Sequence, residues 1–212
     1  MDTDALIEAL ARHTRPVSRH AVERRLAAGL LVGAAAALAL LVAGLGLRPD
    51  LGEATGQAAF WGKGVYTFAL CLAGLVLTAQ LARPDSGQIH WLGLAAAPPV
   101  AILFFAAAEL AAAPRAALPE IVFGPAWICL PLILALATPI FGGMLWAFRQ
   151  MAPTRLAAAG AAAGLVAGGA AATLYGLYCQ QVSPTYILTR YTLAVALASA
   201  AGALLGPRLM RW

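Results

Sequence analysis

The stretch LAAGLLVGAAAALALLVAGLGL, residues 26–47, decides the fold class, because none of its side chains is charged. An α-helix needs about 20 predominantly apolar residues to cross the hydrocarbon core of a bilayer. The run is longer than the apolar segment of an ordinary signal peptide, and the segment before it is too long for a signal peptide. It therefore predicts a membrane-spanning helix that is retained in the protein.

Five further apolar runs approach the same length, and the connections between them are short. The composition agrees: 62% of residues are hydrophobic and 11% are charged, whereas a soluble domain has about a quarter charged residues. We expect an all-α polytopic membrane protein, with a bundle of six transmembrane helices in residues 26–212 and a separate N-terminal segment in residues 1–25. The five further runs are residues 64–82, 91–113, 128–148, 156–178 and 187–206.

The basic residues predict the orientation of the bundle, since Lys and Arg are enriched on the cytoplasmic side of a membrane. One side has only Arg48, Lys63 and Arg115. We expect both termini in the cytoplasm, and we do not interpret the net charge of +5 as a sign of nucleic-acid binding. The opposite side has ten arginines, at positions 12, 15, 19, 24, 25, 83, 149, 155, 208 and 211.

The N-terminal segment predicts a short amphipathic helix. Asp2, Thr3 and Asp4 provide capping oxygens and negative charge at its start, and Leu6, Ile7 and Leu10 fall on one face. A helix lying on anionic lipid is one interpretation. The acidic first turn opposes it, because anionic lipid would repel that turn. A cytoplasmic partner protein that binds Leu6, Ile7 and Leu10 is therefore the preferred hypothesis.

Four chemically active side chains are predicted near the outer ends of the helices: Cys129, Cys179, Glu109 and Arg190. Ionisable groups inside a bilayer are usually paired. We therefore expect a Glu109–Arg190 ion pair, which would fix helix packing or take part in sensing.

The two outer cysteines have three interpretations: a disulfide, a pair of exposed thiolates that bind a soft metal ion, or unrelated packing residues. Cys71 lies deeper and is expected to be a core thiol. We predict no resident cofactor and no outer histidine ligand. The three histidines, His13, His20 and His90, all fall on the cytoplasmic side.

Two features leave alternatives open. Gly160, Gly164 and Gly168 have the spacing that lets two helices approach closely, either inside the bundle or between two copies of the chain. Prolines in the third and fourth runs are expected to bend those helices, so a small transporter that uses Glu109 is an alternative function. A structural subunit of a larger complex is a third possibility. No motif of a hydrolase or nucleotide-binding enzyme is present, and we expect no enzymatic activity.

Several motifs resemble those of NrsF-type membrane anti-sigma factors, and the resemblance covers nearly the whole chain. The most specific are Cys-Leu-Pro at 129–131, Cys-x-x-x-Ser-Pro at 179–184 and the closing GPRLMRW at 206–212. The opening MDTDALIEALA, GLRPDL after the first run, and LYGLYCQQVSP also agree.

The resemblance implies a six-helix protein of the bacterial inner membrane that sequesters an extracytoplasmic-function sigma factor and responds to heavy metals or oxidants. It also implies that Cys129 and Cys179 take part in sensing. Tyr178, Gln180 and Gln181 flank the second cysteine where the family commonly has His before it and Pro-Glu after it, and Arg190 stands where an aromatic residue is common. These departures favour thiol oxidation or two-coordinate thiolate binding over a closed metal site.

Overall fold

The computed structural model describes residues 3, 8, 20–82, 92–123, 127–151 and 153–210, and this part of the chain is all-helical. Six helices in these described ranges are long and apolar enough to cross a membrane, which confirms the predicted fold class. The sixth contains a π-turn at Ile187–Tyr191. In chain order we number these helices α1 Ala21–Gly44, α2 Ala58–Leu81, α3 Leu92–Ala112, α4 Cys129–Phe148, α5 Leu156–Tyr175 and α6 Pro184–Leu209.

The observed helix ends differ from the predicted ones by a few residues. The largest differences are at the starts of α1 and α2, where the helical backbone begins five or six residues before the apolar run. Hydrogen bonding and capping end a helix, not apolarity, so a helix can continue through flanking polar residues. As a consequence Lys63, which we counted as a loop cation, lies inside α2. Pro131 lies in the first turn of α4, where no backbone donor is lost.

Helix α5 forms the centre of the bundle. In its most apolar window 61% of residues are buried, against 6% for α3. Helix α5 packs against α2, α4 and α6, while α1 packs on α4. Helix α3 lies at the periphery, where it contacts α2 and the beginning of α6. Large apolar side chains such as Val32, Phe104 and Leu204 point outward, as expected of surfaces that face lipid.

Glycines set the closest helix contacts. A Cβ atom at Gly160 would overlap the carbonyl group of Gly202, and one at Gly164 would overlap the backbone of α6 at Ala198. Helices α1 and α4 approach in the same way at Gly29 and Gly143. The Gly160–Gly168 stripe is therefore occupied by α6, and this face is not available to a second copy of the chain.

The two ends of the bundle differ in their chemistry. We call the end with Cys129 and Cys179 the cysteine end, and the opposite end the arginine end. At the arginine end, Arg25 donates a hydrogen bond to the carbonyl of Gln150 at 2.7 Å. Arg149 donates there to the carbonyl of Leu209 at 3.2 Å. Helix α1 therefore begins, and α6 ends, on the same side of the bundle. Arginines 24, 25, 149, 155 and 208 lie at this end.

Candidate functional site

Cys129 and Cys179 lie in one buried cluster at the cysteine end. Cys129 is the first residue of α4 and is fully buried, while Cys179 follows the end of α5 and is 8% exposed. Both are free thiols within electrostatic range of each other. Other side chains cover both thiols, which argues against the interpretation of the pair as exposed thiolates. Cys71 is buried in a separate cluster, as expected of a core thiol.

Tyrosine rings cover the two thiols. The ring of Tyr175 lies 5.7 Å from that of Tyr178 and 5.9 Å from that of Tyr191. The hydroxyl of Tyr186 is hydrogen-bonded to the thiol of Cys129. The hydroxyl of Tyr191 is buried beside Cys179. By distance and angle it has no hydrogen-bond partner in the described part of the chain, and sulfur is a weak acceptor. Each thiol thus faces one tyrosine of α6.

The π-turn of α6 brings these two tyrosines to one side. In an α-helix, residues five apart point about 140° away from each other, since one turn takes 3.6 residues. A π-turn uses bonds from residue i to i+5, and here the amide of Thr192 donates to the carbonyl of Ile187. The rings of Tyr186 and Tyr191 consequently lie 6.3 Å apart. Tyr66 of α2 supports the turn through a 2.6 Å hydrogen bond with the hydroxyl of Thr192.

Lys63 joins α2 to the segment that follows α5. Its ammonium group donates to the carbonyl of Cys179 at 2.7 Å and to that of Gln181 at 3.0 Å. It also lies 5.8 Å from the centroid of the Tyr191 ring. The side chain is 2% exposed. Carbonyls beyond the end of a helix lack helical partners, and a cation is favourable there.

Arg48 binds the same segment from the α1–α2 connection. Its amide donates to the carbonyl of Leu177 at 3.2 Å, and its guanidinium makes two hydrogen bonds to the carboxylate of Asp50, at 2.8 and 2.6 Å. Gln180 adds a third hydrogen bond to that carboxylate. The hydrogen bonds from Arg48 lower the pKa of Asp50 to about 2, and the same contact raises the pKa of Arg48. The chain on both sides of Cys179 is therefore tied to the loop after α1.

Glu109 holds the other end of this segment. Its carboxylate accepts hydrogen bonds from the Ser183 hydroxyl at 2.9 Å and from the Thr185 amide at 2.8 Å. Ser183 is the N-cap of α6 and accepts in turn from the amide of Tyr186. A carboxylate at a helix N-terminus satisfies an amide that has no helical partner and complements the helix dipole. Glu109 thus fastens α3 to the beginning of α6.

Arg190 lies in the π-turn and faces a different neighbour. Its guanidinium is 3.9 Å from the centroid of the Trp127 ring and donates to the Thr189 hydroxyl at 3.0 Å. The side chain is 2% exposed. The described contacts do not join Arg190 to Glu109. Equal depth in the membrane places two residues in one layer, but their helices direct these side chains to different partners.

The arrangement limits the chemistry that is available. Two thiols in an aromatic, covered setting are suited to forming one disulfide or to holding one soft ion between two sulfurs. Within the described ranges, no group of three or more His, Cys, Asp and Glu side chains is placed to hold a metal ion. Leu6, Ile7 and Leu10, the predicted partner-binding residues, lie outside the described residues.

Sequence reasoning missed Lys63 and the tyrosines. A lysine within an apolar run is a signal for a buried, partnered cation, but we assigned Lys63 to the flank of the run. The pattern YGLYC at 175–179 followed by Tyr186 and Tyr191 is an aromatic cluster around one cysteine. Its significance depends on the π-turn, which hydropathy does not indicate.

Comparison with known proteins identifies the family. The family model NrsF, described as "Negative regulator of sigma F", matches residues 10–212. The chain is 40% identical to the anti-sigma-F factor NrsF of Caulobacter vibrioides (strain NA1000 / CB15N), and the match covers the whole of both chains. It is 35% identical to the probable anti-sigma-F factor NrsF of Azospira oryzae (strain ATCC BAA-33 / DSM 13638 / PS), again over the whole of both chains. No solved structure shows significant similarity. This six-helix membrane protein therefore belongs to the NrsF family of anti-sigma factors, the negative regulators of sigma F.

Proposed function

We propose that this protein holds an extracytoplasmic-function sigma factor at the inner membrane and releases it when Cys129 and Cys179 react with an oxidant or a soft metal ion. In this proposal the cysteine end faces the periplasm and both termini are cytoplasmic. The observation that carries the proposal is the placement of both thiols in one buried cluster at the cysteine end, opposite the arginine end. The excess of arginine at the other end supports this orientation.

Reaction of the two thiols would change how the side chains around them pack. An oxidant that takes one electron and one proton from each thiol joins the two sulfurs, and the periplasm is oxidising enough for a disulfide to persist. A bridging soft ion would instead replace two protons. Either product changes the contacts of Tyr186 and Tyr191, because each faces one of the thiols. A release mechanism requires that this change favours one of two states by a few kcal/mol.

The N-terminal segment is the proposed binding element for the sigma factor. Deleting residues 2–15 should abolish co-purification of the sigma factor while the six helices still insert. Leu6→Asp and Leu10→Asp should have the same effect, since burial of one leucine contributes about 1.5–3 kcal/mol. Ala5→Asp, on the opposite face of the predicted helix, is the matched control and should bind normally. Retention of the sigma factor by the truncated, inserted protein would contradict the proposal.

The transporter alternative depends on Glu109. The hydrogen bonds from Ser183 and Thr185 favour a capping role for that carboxylate over a place on a substrate path. The same deletion separates the two functions, because a transporter would tolerate the loss of residues 2–15 and an anti-sigma factor would not.

A further inference from the structure

We infer that Lys63 is the positioning residue of the thiol pair: its ammonium group holds the Cys179 segment against α2 and so keeps Cys179 covered and beside Cys129. The inference rests on the proposed function for its physiological meaning, but its geometry is independent of the sigma factor.

The first observation is the set of partners of Lys63. An ammonium group has three N–H donors. Two bind the carbonyls of Cys179 and Gln181, and the ring of Tyr191 lies 5.8 Å away. Lys63 therefore contacts the backbone of one sensing cysteine and the aromatic residue that covers it.

The second observation is the place of Lys63 in the fold. It lies in the second turn of α2 and is 2% exposed, although a lysine near a helix end can extend its ammonium into water. Here the ammonium turns inward to carbonyl groups. A buried charge that is hydrogen-bonded in this way restricts its partners strongly, because removing it leaves two carbonyl groups unsatisfied.

The third observation is the chain that Lys63 holds. Cys179 and Gln181 lie between the end of α5 at Tyr175 and the N-cap of α6 at Ser183. The connection keeps one helical-type backbone bond at the cysteine, from the amide of Cys179 to the carbonyl of Tyr175 at 3.0 Å. Three contacts from other parts of the chain hold it further: Arg48 at Leu177, Lys63 at Cys179 and Gln181, and Glu109 at Ser183. Of these three residues, Lys63 is the one bound to the cysteine itself.

Thiol accessibility provides the test. Membranes containing the full-length protein are treated with N-ethylmaleimide, which crosses membranes, and the labelling rate of each cysteine is measured by peptide mass spectrometry. Lys63→Met keeps the length and the apolar stem but removes the donors. We expect it to raise the labelling rate of Cys179 at least about tenfold relative to that of Cys71. Lys63→Arg, which restores charged donors, should reduce the increase.

Thr78→Val is the matched control. Thr78 is a fully buried polar residue of the same helix, far from Cys179, and its hydroxyl has no hydrogen-bond partner in the described part of the chain. This variant should leave the Cys179 to Cys71 ratio unchanged. Parallel acceleration of all three cysteines in Lys63→Met would mean a general loss of packing and would overturn the inference, as would unchanged labelling of Cys179. Because labelling does not involve the sigma factor, the result stands apart from any failure of the proposed function.

Discussion

Different kinds of contact hold the helices together at the arginine end and at the cysteine end of the bundle. Towards the arginine end, helices meet backbone to backbone at Gly29 and Gly143 and at Gly160 and Gly202. At the cysteine end, the helices and their connections are joined by long side chains, chiefly Lys63, Glu109 and the tyrosines around the thiols. Backbone contacts leave no room for adjustment, whereas side-chain hydrogen bonds can exchange partners. These contacts indicate that the arginine end is rigid and that the cysteine end can adjust. The proposed chemistry lies at the cysteine end.

The largest loss of stability is expected from a substitution in the close helix contacts towards the arginine end. Gly143→Ala places a methyl group against the backbone of Gly29, and overpacking of this kind destabilises a protein by about 1–3 kcal/mol. The neighbouring Gly142 has open space around its Cα, so Gly142→Ala is the matched control. We expect Gly143→Ala to lower the unfolding temperature of the purified protein in detergent by several degrees, and Gly142→Ala to leave it unchanged or slightly raised. Equal stability of the two variants would mean that the close contact is not rigid.

A smaller loss of stability is expected from removing a side-chain contact at the cysteine end. Glu109→Ala removes the acceptor of the Ser183 and Thr185 hydrogen bonds, and the loss of such a helix cap lowers stability by about 1 kcal/mol. Glu53→Ala, a change of the same residue type at an exposed position, should have no effect. Thermal unfolding measures both. A Glu109→Ala protein as stable as Glu53→Ala would show that the capping contact does not contribute.

The smallest loss of stability is expected at the ion pair of Arg48 and Asp50, in which the arginine is buried and the carboxylate is exposed. The pKa of Asp50 is about 2 in the folded protein against an ordinary value of 3.8. The folded state therefore binds this proton less tightly than the unfolded state. The stabilisation of the folded state by this ion pair is fully present above about pH 4 and is lost as the pH falls toward 2. The difference in unfolding temperature between the wild type and Asp50→Asn should be small at neutral pH and should disappear near pH 2. A difference that persists at pH 2 would argue against this ion pair as its cause.

The same contrast separates what the sequence predicted from what it did not. The six spans, the glycine contact between α5 and a neighbouring helix, and the positions of Cys129 and Cys179 at helix ends all follow from apolar run length and small-residue spacing. These features depend on one helix or one pair of helices. Run length and spacing are visible in a linear sequence.

The details of the cysteine end could not be predicted in this way. The sequence gives the depth of a residue in the membrane but not the direction of its side chain around the helix. Glu109 and Arg190 were therefore expected to pair, yet the structure gives them separate partners. Tyr186 and Tyr191 lie on one side beside the thiols because of the π-turn, and hydropathy has no signal for that turn. Side chains from several distant segments of the sequence meet at the cysteine end and determine its structure.

In the proposed function, chemistry at the thiol pair releases the sigma factor. The most direct measurement is reporter output from a sigma-factor-dependent promoter in cells that carry the Cys129→Ser/Cys179→Ser double variant, before and after exposure to an oxidant or to cadmium. Cys71→Ser is the matched control, since it removes a buried thiol from the other cluster. We predict that the double variant represses fully and stays repressed under stress, while Cys71→Ser responds like the wild type. Normal induction in the double variant would show that Cys129 and Cys179 are not needed for release of the sigma factor.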